Sequence, residues 1–133
     1  MNSIPLRAIA VTGDMAVLAA FPFIGAMSHE DPVSVESFTR TVVPFAIAWL
    51  LVGTASTSFV VATISSRMLI LHRVLAAIVS SGVIAIVLRG VLFDRSFSVA
   101  FAIVAVVTTT LLIFIWRLAL ATVLNRRRPV RQP

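Results

Sequence analysis

Four long apolar stretches, separated by short polar segments, run the length of this chain. They cover about residues 6–27, 38–64, 73–92 and 97–122, and each is long enough to supply the roughly 20 apolar residues that a helix needs to cross a hydrocarbon core. The polar segments between them fall at 28–37, 65–73 and 94–96. Apolar residues run almost unbroken within each stretch, so no wide polar face is set aside for water. That is the pattern of helices solvated by lipid. It predicts an all-α fold, a bundle of four transmembrane helices forming a single domain over residues 1–124. A basic, disordered tail is expected over 125–133. No internal repeat is visible.

Local signals mark the ends of these elements. Ser3 and Pro5 suit the start of the first helix. Pro22 should kink that helix and free the Leu18 carbonyl. Heptad spacing puts Arg7, Asp14, Phe21 and Ser28 on one face, with Gly25 nearby. Asp31-Pro32 reads as an N-cap and first-turn pair ahead of the second helix. Pro44 then falls near the first turns, where it does little harm. Gly53 and Thr57 have small-xxx-small spacing, and Asp94-Arg95-Ser96 is a tight turn suited to capping the fourth helix.

Composition supports lipid as the solvent. Of 133 residues, 59% are hydrophobic, and the mean hydropathy is +1.07. Soluble domains hold about 45–50% apolar residues, and a soluble chain this short buries only about two-thirds of its surface. The net charge is +6, and all eleven cations are arginines. Arg7, Arg67, Arg73, Arg117, Arg126, Arg127, Arg128 and Arg131 fall on the side of the chain ends. Arg40, Arg89 and Arg95 fall on the other, with Glu30, Asp31, Glu36 and Asp94. The positive-inside rule therefore predicts both termini in the cytoplasm and a multi-pass protein of the cell (plasma) membrane. Charge placed at helix ends and in a tail points to the lipid bilayer as partner, with anionic lipid at the arginine-rich tail, and away from nucleic acid. A cleavable signal peptide is not expected, because only Arg7 precedes the first apolar run and Asp14 interrupts it.

Several chemistries are closed. Without Cys there is no disulfide, thiolate or Cys-metal site, and without Lys there is no Schiff base. His29 and His72 are expected on opposite sides of the membrane, so they cannot share a metal or haem. No paired carboxylates, His-x-x-x-His or Ser/His/Asp set lies at one depth. No enzyme, metal or cofactor is predicted.

The candidate chemistry lies in the charges that the apolar runs enclose. Asp14 comes first, because an ionisable group inside a span is costly and marks a functional site. It lies about 12 Å along the first predicted helix, and Arg117 about 8 Å from the end of the fourth. Matched depths allow an intramembrane charge pair. Asp14 as a proton site on a water-filled path, or as a neutral hydrogen-bonded group, remains open beside it. Arg117 unpaired would snorkel to the headgroups. A second set lies at the opposite face: His29, Glu30, Arg40 and Arg89, with Asp94 and Arg95, as an outer vestibule or as ordinary interfacial charges. Arg89 shares a side of the third helix with Ala77, Ser81 and Ala85, which turns it toward protein. Thr54, Ser56, Thr57 and Ser58 either bond back to their own helix or line a polar path. Trp49 is too deep for an interfacial belt, so its indole N–H needs a buried acceptor.

The arrangement resembles a family of short prokaryotic four-helix membrane proteins known as a domain of unknown function. The residues that carry the resemblance are Gly13-Asp14, Ser28-His29-Glu30, Val43-Pro44-Phe45 with Trp49, Arg89, Ser96-Phe97 and Trp116-Arg117, spanning about 13–118. The chain departs from the pattern at Gly25-Ala26-Met27, which is more basic in the family, and this argues against an anion site there. The resemblance implies fold and membrane location and no activity. The function expected is permeation or transport of a small solute or proton, as a homo-oligomer packed through the small-residue faces of the second and third helices. The alternative is a non-catalytic accessory or scaffold protein with structural charge pairs.

Overall fold

The computed structural model of the protein describes residues 3–27, 32–94 and 98–127. Its elements are α1 (Ser3–Ala26), α2 (Val35–Ala55), the short α3 (Val61–Ser65), α4 (Arg67–Phe93) and α5 (Val99–Arg126). Among the described residues there is no strand. The four long helices have 24, 21, 27 and 28 residues. At 1.5 Å per residue they reach about 32 to 42 Å, enough to cross a bilayer core of about 30 Å. All four are long and apolar enough to cross a membrane.

The helices close into a ring. α1 packs on α2 and α5, and α4 packs on the same two, while α3 tucks against α1 and α5. Leu6 of α1, Ile64 of α3 and Leu120 of α5 meet in one cluster, and Arg67 at the start of α4 donates to Thr122 of α5 at 3.2 Å. These contacts place the start of α1 and the end of α5 on the same side of the bundle. The inner faces are narrow stripes. On α1 the buried residues are Leu6, Ala10, Asp14, Leu18 and Phe21, and on α5 Ala105, Thr109, Ile113, Arg117 and Ala121 recur every fourth position. The outer faces carry aliphatic side chains instead, such as Val79, Val83 and Val87 on α4 and Val107, Leu111 and Ile115 on α5. A monomer in water rarely exposes so large an apolar surface. In lipid it is the favoured exterior.

The element boundaries differ from the sequence pattern at several points. α2 starts at Val35 rather than about 38, because Ser34 and Ser37 form a reciprocal capping box at 3.0 and 3.1 Å. Asp31 lies outside the described residues. The earlier start puts Pro44 in the helix interior, where it is buried and takes the N–H away from the Arg40 carbonyl. α1 runs on through Pro22 to Ala26.

The largest difference is in the second apolar run. It is not one helix to residue 64 but breaks after Ala55 and resumes as α3. The Ser58 N–H reaches the Gly53 carbonyl at 2.9 Å and the Thr57 N–H reaches the Thr54 carbonyl at 3.2 Å, which are the paired bonds of a Schellman motif. Thr57 takes the left-handed position with φ 57°. Gly53 makes the turn fit, since a Cβ there would stand 2.7 Å from the Phe59 ring.

α4 begins at Arg67, earlier than about 73, because the Ser66 side chain caps it by accepting from Leu69 N–H at 3.3 Å. A π turn at Ile70–Val74 follows. Asp94 ends α4 in a left-handed conformation with φ 46°, and Ser98, rather than the 94–96 turn, caps α5 by accepting from Phe101 N–H at 3.3 Å. α5 continues to Arg126, past the expected end at 122 and into the stretch expected as a tail. The tail from 128 onward lies outside the described residues. The small-residue face of the third apolar run, one of the two expected to join copies, is packed within the protomer. Ala77, Ser81 and Ala85 are buried, and a Cβ on Gly82 would meet Val106 of α5 at 3.1 Å.

Candidate functional site

The centre of the ring holds an ion pair. Asp14 on α1 and Arg117 on α5 are both fully buried, with 0% of either side chain exposed. Arg117 Nε donates to Asp14 Oδ1 at 2.9 Å and Nη2 donates to Oδ2 at 2.5 Å. This is the two-pronged guanidinium-carboxylate geometry, the strongest form of such a contact. α2 contributes the third part: Trp49 Nε1 donates to Asp14 Oδ2 at 2.8 Å. The buried acceptor that this deep tryptophan requires is thus a carboxylate oxygen.

The break in the second apolar run contributes the fourth part. Arg117 Nη1 donates to the Ser58 carbonyl at 3.1 Å. In an unbroken helix that carbonyl would accept from its own chain. The Schellman turn points it instead at the guanidinium. The turn also places Phe59 under the charge, with Arg117 Cζ 5.2 Å from the Phe59 ring centre and 5.8 Å from that of Trp49. The two rings meet edge to face at 5.6 Å and 74°. Aromatic faces at these distances attract a cation.

Close approach of α1 and α5 depends on the residue before each charge. A Cβ on Gly13 would overlap the Trp116 indole. The dipeptides Gly13-Asp14 and Trp116-Arg117 therefore mate as units, the glycine receiving the ring and the carboxylate receiving the guanidinium. Trp116 Nε1 is buried and has no hydrogen-bond partner among the described residues.

Apolar layers close both ends of the pair. On one side stand Leu18, Phe21, Phe45 and Ile113, and on the other Leu6, Ala10, Ile64 and Leu120. By helix rise Asp14 lies about 17 Å from the start of α1 and Arg117 about 14 Å from the end of α5, so the longer helices set the pair nearer mid-span than the sequence pattern implied. Two charges held here neutralise each other. Removing one partner of such a pair is strongly unfavourable, about 3–5 kcal/mol, because the other is left buried and unpaired.

Of the residues expected at the opposite face, Arg40, Arg89 and Asp94 fall among the described residues. Arg40 pairs with Glu36 one turn earlier on its own helix, at the surface. Arg89 lies over the Phe101 ring of α5 at 4.1 Å, facing protein. His29, Glu30 and Arg95 lie outside the described residues. Arg7 is exposed and does not share the inner face with Asp14 and Phe21. The hydroxyl groups of the second run mostly bond locally: Thr54 donates to the Leu50 carbonyl at 2.6 Å, Ser56 donates to the Gly53 carbonyl at 3.3 Å, and the Ser56 and Ser58 hydroxyls meet at 2.7 Å. The Ser58 carbonyl as a ligand of Arg117 has no signal in residue identity, since every residue carries a carbonyl. Among the described residues no group of His, Cys, Asp and Glu has the geometry of a metal site.

Fold and site together define an all-α bundle of four helices long and apolar enough to cross a membrane, tied at its centre by one sealed charge pair. Residues 11–120 match the model of the family described as protein of unknown function (DUF3054), and the chain belongs to that family. The matched span contains Asp14, Trp49, Ser58 and Arg117. No curated protein matches the chain, and no solved structure does.

Proposed function

We propose that this protein is a non-catalytic component of the cell membrane, with an accessory or scaffold role, and that the Asp14–Arg117 pair is a structural latch fixing α1 against α5. One observation carries the reading: each carboxylate oxygen is engaged by Arg117 or Trp49, and neither charged side chain has any exposed surface. A group so enclosed is suited to holding helices together. Arginine counting puts both termini in the cytoplasm on this reading.

Permeation of a small solute or proton, the other use of an intramembrane carboxylate, needs water at Asp14. The apolar layers on both sides of the pair oppose that. The test is proton flux into liposomes together with thermal unfolding, comparing the native chain with Asp14→Asn at matched incorporation. The latch reading expects flux equal to that of empty vesicles for both proteins and a lower melting temperature for the variant. Flux in the native chain that disappears in Asp14→Asn, with unchanged melting, would establish permeation instead.

A further inference from the structure

A shallow, open groove lies on the outer surface between the end of α2 and the first turns of α4. Its two ends differ in chemistry. At the end nearer the chain termini stand Thr57, His72 and Arg73, all exposed. Toward mid-span the walls are Val52 and Ala76, with Ser80 beyond and the buried Ala77 beneath. Arg73 Nη1 donates to Thr57 Oγ1 at 3.3 Å, which draws the guanidinium across the mouth of the groove and leaves its remaining N–H donors available. His72 donates from Nδ1 to the Met68 carbonyl at 2.9 Å, which ties its ring back to its own helix.

Both borders of the polar end depart from regular backbone. In the turn after α2, Thr57 occupies the left-handed region at φ 57°, where a β-branched residue is unfavourable. On α4, residues Ile70–Val74 form a π turn, a feature that recurs at functional sites. Glycine would satisfy the backbone at 57, but it would give Arg73 no hydroxyl to rest on. The strained residue is the one that orients the cation.

We infer that this groove binds one anionic phospholipid, with the phosphate at Arg73 and the Thr57 hydroxyl and one acyl chain along Val52 and Ala76. The charge of the polar end complements a phosphodiester. The apolar end continues in the direction in which lipid chains run, on a bundle whose exterior is aliphatic. The small, exposed side chain at 76 leaves this end of the groove unfilled. The site is separate from the central latch and is independent of the accessory reading.

The test is native mass spectrometry of the full chain after extraction from vesicles of equal phosphatidylglycerol and phosphatidylcholine. The site predicts one retained phosphatidylglycerol per chain in preference to phosphatidylcholine. Arg73→Gln is expected to lower that retention about fivefold, the effect of roughly 1 kcal/mol for one arginine at a lipid surface. Arg67→Gln, another exposed cation at the same end, is expected to leave it unchanged. Ala76→Leu fills the groove without touching charge and is expected to lower retention as well. It carries the test if Arg73→Gln fails to fold. Equal retention of the two lipids, equal retention by Arg73→Gln or Ala76→Leu and the native chain, or displacement of the lipid by inorganic phosphate would each overturn the proposal.

Discussion

Gly13 of α1 lies directly against the Trp116 indole of α5, so close that a Cβ at position 13 would overlap the ring. One residue further along each helix, Asp14 meets Arg117. The absence of a side chain at 13 thus sets the interhelical distance at which the charge pair forms. Gly13→Ala is expected to push the indole aside and lower stability by about 1–3 kcal/mol, the usual range for overpacking a close contact. Tryptophan emission should shift in the same variant, because Trp116 loses its packed position. Unchanged melting and emission would mean that α1 and α5 do not approach as described.

Trp49 provides the second handle on the carboxylate. Trp49→Phe keeps the ring against Phe59 and removes only the N–H that Asp14 Oδ2 accepts. A hydrogen bond to a charged group contributes about 1.5–3 kcal/mol, so unfolding should occur earlier by a loss of that order. In a Trp116→Phe background, which leaves Trp49 as the sole tryptophan, emission should be blue and resistant to aqueous acrylamide. Strong quenching would show that water reaches the latch.

The turn after α2 makes a prediction of opposite sign. Thr57→Gly relieves a β-branched residue from the left-handed region, where strain is of order 1–3 kcal/mol. It also removes the hydroxyl that receives Arg73. The hydroxyl is exposed and its bond to Arg73 is long, so the backbone effect should prevail and raise the melting temperature. Thr57→Val keeps the strain and loses the hydroxyl, and should not be stabilised. Equal melting of the two variants would place the turn in another conformation.

How much of this was legible in the sequence depends on what kind of signal each feature leaves. The four long helices follow from apolar runs of membrane-spanning length, because lipid demands that every backbone group be satisfied within the segment. The break at 56–60 left no such signal. Ser and Thr are compatible with a membrane helix, and the turn uses Thr57 where glycine is usual. The start of α2 was hidden because its capping box ends in Ser37 rather than the customary Glu or Gln. Asp14 and Arg117 stood out as charges inside apolar runs at similar depth, and the structure brings them within hydrogen-bond distance. Trp49 announced the need for an acceptor without identifying it. The Ser58 carbonyl was not legible, since the fold, not the residue, aims it. Depth alone groups Arg40 with Arg89, and the i, i+4 spacing that pairs Arg40 with Glu36 is a further signal in the same residues.

The central claim is that Asp14 and Arg117 form one interdependent unit that holds α1 to α5. A double-mutant cycle in detergent micelles tests it most directly, with Asp14→Asn, Arg117→Met and the two combined, followed by equilibrium unfolding. Asn retains an oxygen for Trp49, so the cycle isolates the charge pair. Each single variant should lose about 3–5 kcal/mol by leaving a buried charge without its partner. The double variant should lose much less than the sum of the two, with a coupling of at least about 1 kcal/mol. Additive losses would contradict the account, as they would show that the two charges do not depend on each other.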